Sequence, residues 1–114
     1  MVLVTGGIAS GKRTFVRGLG YTDADMGTSL DSDARVLVGL EELLRERELT
    51  PEELGRACER EVVVCLEVGQ GVVPVDPAER VWRERVGRCC QRLAAEADSV
   101  FRLVCGVAVC VKGA

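Results

Sequence analysis

Apolar residues along this chain gather into runs of two spacings, and the spacing separates strands from helices. Residues 1–5 and Val62–Leu66 are short, almost unbroken apolar runs, the second of them β-branched, and both predict strands buried on two faces. Residues 100–111 are strongly β-prone as well, with Gly106 as a break or bulge between two strand halves. A helix is predicted over residues 11–19, stopped by Gly18 and Gly20. The polar stretch 21–33 predicts a loop with at most one short strand. Residues 35–48 fit either one helix or a short strand at Val36 to Val38 feeding a helix, with the helix placed from Leu40 onward. Thr50-Pro51-Glu52-Glu53 is a capping box with proline at the first helical position and opens a helix to about residue 60. Asp76-Pro77-Ala78-Glu79 repeats that logic and opens the longest helix, to about residue 97, with an apolar stripe of Trp82, Val86, Cys89, Cys90, Leu93 and Ala97. Gly87, near Arg80 and Arg83, marks a helix face open to a close neighbour. Helices alternating with buried strands predict an α/β fold, a mostly parallel sheet flanked by helices, with ligands at the carboxyl ends of the strands.

The turn after the first strand changes this from a fold reading to a functional one. Gly6-Gly7-Ile8-Ala9-Ser10-Gly11-Lys12 has the Gly-x-x-x-x-Gly-Lys spacing of a phosphate-cradling loop. Its glycines let several main-chain N–H groups converge on one anion, Lys12 adds a point charge, and the next helix starts at the same place. The usual pattern continues with Ser or Thr, whose hydroxyl holds the nucleotide's magnesium ion; here Arg13 takes that position and Thr14 follows one residue late. Phosphate binding is therefore expected to be intact and the placement of Mg2+ altered. A bare glycine-rich turn between strand and helix is the competing reading.

At 114 residues the chain is long enough for one domain, residues 1–114, and small for a complete mononucleotide-kinase fold, so a missing piece or a partner is expected. A net charge of −3 argues against a general nucleic-acid or anionic-membrane binder. Charge is uneven: residues 23–61 hold twelve acids against five arginines, while residues 80–92 hold five arginines, and any polyanion is drawn to the loop and that later helix. The six cysteines form no Cys-x-x-Cys pair and there is no histidine, which disfavours zinc. Most sit among Val and Leu and read as reduced core residues of a cytoplasmic protein. No stretch approaches the ~20 apolar residues of a membrane span.

Two blocks carry a family resemblance. The first is Leu3-Val-Thr-Gly-Gly-Ile-Ala-Ser-Gly-Lys12; the second is Glu67-Val-Gly-Gln-Gly-Val-Val-Pro74, followed by Arg80, Arg83, Gly87, Arg88, Gln91-Arg-Leu-Ala94, Ala97-Asp98 and the closing strands. Together they make the chain resemble the adenosylcobinamide kinase/adenosylcobinamide-phosphate guanylyltransferase family of cobalamin biosynthesis, across roughly two thirds of its length. The resemblance implies a reduced P-loop NTPase-like fold, GTP or ATP at the loop, a cobinamide acceptor and a symmetric homo-oligomer. Family members are usually longer, and the missing middle holds the histidine that becomes guanylylated. Without a histidine, guanylyl transfer by that route is expected to be absent.

Phosphoryl transfer to an alcohol needs a phosphate clamp, a divalent ion and a group that orients or deprotonates the hydroxyl. Gly6, Gly7, Ser10, Gly11, Lys12, Arg13 and Thr14 are the expected phosphate-binding residues, joined by Arg80 and Arg83, whose guanidinium forks suit phosphate. Lys12 and Glu67 are the expected catalytic pair. Thr14 with Asp25 or Glu67 is the expected metal set, with Asp23 as a further acid in the same loop; strand-end and loop acids equally serve as local caps and turn formers. Trp82 is expected in the core.

Overall fold

The computed structural model describes residues 1–68 and 75–113. Strand β1 (Val2–Gly6) leads through the glycine-rich turn into α1 (Lys12–Gly18), a 3-10 turn at Asp23–Asp25 and the two-residue β2 (Met26–Gly27). There follow β3 (Val36–Leu37), α2 (Leu40–Leu43), α3 (Pro51–Cys58) and β4 (Val62–Leu66), then α4 (Pro77–Glu96), β5 (Ser99–Val104) and β6 (Val107–Lys112). The strands form one sheet in the order β2-β3-β4-β1-β5-β6, parallel except for the antiparallel β5–β6 hairpin. The predicted α/β sheet is therefore present, and the two strand halves around Gly106 fold back on each other across a turn in which Cys105 and Gly106 both have positive φ, 50° and 77°.

Local chemistry accounts for the helix starts. Thr50 Oγ1 accepts from Glu53 N at 3.2 Å while Glu53 Oε1 accepts from Thr50 N at 3.0 Å, closing the capping box of α3 behind Pro51. Asp76 Oδ1 accepts from Ala78 N at 2.9 Å at the start of α4. Residues 35–48 take the strand-then-helix route: Gly39, left-handed at φ 75°, breaks the chain after β3, and α2 is a single turn.

Strand side chains alternate between two cores. On one face Leu3, Leu37, Val63 and Cys65 pack with Leu40, Leu44, Ala57, Trp82, Val86, Cys89 and Leu93 from α2, α3 and α4. On the other Val4, Val36, Val62, Val64 and Leu103 pack with Val16 and Phe15 of α1. The α4 stripe is thus the core stripe the pattern predicted, with Cys90 only half-buried. Two expectations are corrected. Cys105 and Cys110 are exposed rather than core, because no described helix covers the hairpin that carries them. A Cβ on Gly87 would meet nothing within 4 Å among the described residues, so no close neighbour explains that glycine. Among the described residues no helix is long and apolar enough to cross a membrane.

Candidate functional site

The chain leaves β1 toward β2 on one side of the sheet, and leaves β4 toward β5 on the other. The crevice at the carboxyl ends of β1 and β4 is therefore the switch point where open α/β sheets bind ligands. The glycine-rich loop lies there. A Cβ on Gly6 would stand 2.5 Å from Ser10 Oγ and 2.8 Å from Leu103 O, so only glycine lets β1 turn this close to β5. Ala9 (φ 56°) and Gly11 (φ 94°) turn the chain left-handed, and Gly106 N donates to Ser10 O at 2.9 Å, so the hairpin turn props the loop from outside. Lys12 Nζ donates to Gly7 O at 2.6 Å, folding the ammonium over the loop's own carbonyl. Burial lowers the pKa of Lys12, and the negative charge of Glu41 opposes that effect.

Beside the loop opens a cavity of about 560 Å³. Lys12, Arg13 and Thr14 line one side; Glu41 and Trp82 line the other. Glu41 is fixed at its main chain, whose carbonyl accepts from Trp82 Nε1 at 2.7 Å. Its Oε2 is buried with no hydrogen-bond partner among the described residues, and the buried Ser10 Oγ is in the same condition. Arg45 stacks on Trp82, its guanidinium carbon 3.8 Å from the ring centroid, and donates to Glu79 at 3.0 Å. A second cleft, of about 440 Å³, lies at the amino ends of the strands, and its arginines are engaged by Asp31, Glu61 and main-chain carbonyls. Among the described residues, buried unsatisfied polar atoms therefore mark the loop cavity and not this cleft.

The family model for cobinamide kinase / cobinamide phosphate guanyltransferase matches residues 29–111. The chain belongs to this family. The bifunctional adenosylcobalamin biosynthesis protein CobU of Salmonella typhimurium is 45% identical over 60 residues, 49% of this chain and 33% of that protein. Its counterpart of the same name in Escherichia coli is 42% identical over 60 residues, with the same shares. The aligned stretch thus spans about a third of the length of these relatives. The glycine-rich loop lies before the matched span, so its part in the site rests on its own geometry.

The structure sorts the remaining expected residues, of which Glu67, Arg80 and Arg83 fall within the matched span. Glu67 follows β4 directly; its N donates to Gly6 O at 2.8 Å and its carboxylate accepts from Arg102 Nε at 2.9 Å. It lines a neighbouring cavity of about 340 Å³ together with Gly7 and Ile8 of the loop and with Arg83. Arg80 is exposed and lines neither cavity. Thr14 is exposed on the cavity rim beside Arg13. Asp25 is a correction: it immediately precedes β2 and so lies at the amino end of the sheet, opposite the loop. There it accepts from Thr22 N at 2.8 Å and stands 3.7 Å from Arg35, which together hold its carboxyl below the usual range. Asp23 pairs with Arg17 at 2.8 Å and is likewise a local partner. The part of the second block at residues 69–74 lies outside the described residues.

Glu41 is the candidate residue at the cavity that the sequence expectations did not include. The signal was an acid two residues past Gly39 at the end of a strand, the criterion applied to Glu67. The place of Glu41 on the short helix α2 made it read as one more acid of a solvated helix face.

Proposed function

We propose that this chain binds GTP or ATP at the Gly6–Lys12 loop and transfers the terminal phosphoryl group to a hydroxyl of adenosylcobinamide, within cobalamin biosynthesis in the cytoplasm. The supporting observation is the loop itself: Lys12 and the buried, unpartnered Ser10 hydroxyl stand at a cavity that also holds an acid, in a member of the cobinamide kinase family. The acceptor oxygen attacks the terminal phosphorus as the bond to the bridging oxygen breaks; the nucleoside diphosphate departs, and the hydroxyl proton passes to an acid or to water. Lys12 exchanges the Gly7 carbonyl for phosphate oxygens, the loop amides hold the remaining oxygens, and Arg83 gives the neighbouring cavity a positive wall.

Among the described residues no group of three or more acids, cysteines or histidines is placed to hold a metal ion. Mg2+ needs no such group, because it takes one or two carboxylates and completes its shell with phosphate oxygens and water. The unpartnered Glu41 carboxylate at the cavity fits that role. Bound magnesium would neutralise charge developing on the transferred group. With no histidine in the chain, a guanylylated-histidine route is not open to it.

Titration calorimetry with a non-hydrolysable GTP or ATP analogue tests the binding step. Lys12→Ala should lose ~1.5–3 kcal/mol of affinity, the scale of a charged hydrogen bond. Absence of binding by the native chain would end this reading. A second reading, a catalytically inert nucleotide or corrinoid binder serving as subunit or regulator, is favoured by Arg13 at the hydroxyl position. Tight nucleotide binding with no phosphorylated cobinamide formed would establish it over the kinase. We also propose that the chain forms a homo-oligomer, a reading supported by the exposed apolar strand β6.

A further inference from the structure

We propose that the Glu41 carboxylate is the protein's own ligand for the divalent cation that accompanies a nucleoside triphosphate at the loop, taking over from the hydroxyl that Arg13 has displaced. This deepens the proposed function and rests on the loop binding a nucleoside triphosphate.

Glu41 Oε2 is a buried acceptor with no partner among the described residues, a condition that native proteins seldom tolerate without an ion or water to resolve it. Two of the nearby cations, Arg45 and Lys12, are used elsewhere. Arg45 is drawn to Glu79, Glu42 and the Trp82 ring, and the Lys12 ammonium sits on Gly7 O while its charge interacts with that of Glu41. When a triphosphate enters, Lys12 turns to the phosphates, and Glu41 is left facing several negative charges across a half-buried cavity where screening is weak. A divalent cation between them turns that repulsion into two attractions.

Of the two acids that line the cavity, Glu42 is exposed and 3.8 Å from Arg45, whereas Glu41 has the buried unpartnered oxygen. Asp25 is at the far end of the sheet, and the Glu67 carboxylate is engaged by Arg102. The Trp82 indole clamps the Glu41 main chain, so its carboxylate is carried on a fixed point although α2 is only one turn long. Trp82 is in this sense a positioning residue.

The test measures the affinity of β,γ-imido-GTP and β,γ-imido-ATP with Mg2+ and with EDTA, for the native chain, Glu41→Gln, Glu41→Asp and Glu42→Gln. The native chain should bind at least tenfold more tightly with Mg2+. Glu41→Gln should lose most of that increment while binding the metal-free analogue as well as the native chain or better, since a negative charge has gone. A merely structural role would weaken both forms equally. Glu41→Asp should keep part of the increment and Glu42→Gln all of it. Mn2+ bound with the analogue should show an electron paramagnetic resonance spectrum that changes in Glu41→Gln. An unchanged Mg2+ increment in Glu41→Gln, or an equal loss in Glu42→Gln, overturns the proposal while leaving nucleotide binding standing. Failure of the native chain to bind either analogue, with or without metal, sinks the proposed function itself and this inference with it.

Discussion

At the residue scale the loop depends on the absence of one methyl group. A Cβ at Gly6 would stand 2.8 Å from the Leu103 carbonyl, main chain that moves only if β5 moves with it, and 2.5 Å from Ser10 Oγ. Gly6→Ala should therefore destabilise the chain by roughly 1–3 kcal/mol, as overpacking of a tight site does, and lower the midpoint of thermal melting followed by circular dichroism. Gly7 is the internal control, because its Cβ would meet nothing within 4 Å among the described residues, so Gly7→Ala should melt near the native temperature. Equal melting of the two variants would refute the close approach of β1 to β5. The same scale shows which site residues were legible beforehand. Gly6, Gly11 and Lys12, the proposed phosphate-binding residues, lie in one contiguous stretch whose spacing alone suggests that role. Whether Glu41 or Asp25 can face the loop depends on where the sheet carries each, and no local pattern says which end of a parallel strand an acid will face. The expected metal set offers Asp25 as an alternative to Glu67, the strand-end acid, and Asp25 lies at the opposite end of the sheet.

Among elements, α3 offers a test by pH. Glu53 closes its capping box and is gripped by Arg47, 2.7 Å from one guanidinium nitrogen. The hydrogen bond from Arg47 first, and that from Thr50 N second, hold the Glu53 carboxyl at about 2, below its ordinary 4.5. A carboxylate with a depressed folded-state pKa contributes stability that is fully present above its unfolded value and is lost as pH falls through the folded value. The native melting temperature should thus decline between about pH 4.5 and pH 2. Glu53→Gln, which cannot titrate, should decline less over that window; parallel curves for the two proteins would remove Glu53 as the cause. The caps of α3 and α4 were readable because a capping box is written in four consecutive residues, and β1 and β4 because an apolar run of five leaves few alternatives. Residues 35–48 were ambiguous because Val36 to Val38 run straight into a leucine pattern, and only pairing of β3 with β4 decides for a strand. Strand order was not readable at all, since each pairing joins residues that no local periodicity links.

For the whole molecule the unresolved balance lies at β6. All six of its residues are exposed, with Val107, Val109 and Val111 exposed by 64%, 49% and 63%, while the opposite edge of the sheet ends in the two-residue β2. An apolar edge strand with unpaired main-chain groups is a template for another strand, and water contact on both faces forfeits ~25 cal/mol for each Å² left uncovered. Part of this edge is already defended, since Lys112 Nζ donates to the Ala94 and Ala95 carbonyls at the end of α4 and keeps a charge beside the strand. The centre of the strand has no such charge. Sedimentation velocity should therefore show concentration-dependent association of the native chain, and Val109→Lys, which places a charge mid-strand, should shift it toward monomer. The loop contacts the hairpin through Gly106 and not through Val109, so nucleotide affinity in Val109→Lys should stay near the native value. A fall in affinity that tracks the loss of association would mean that a neighbouring copy completes the site, whereas a native chain that stays monomeric at every concentration would leave β6 a bare edge and remove the proposed oligomer.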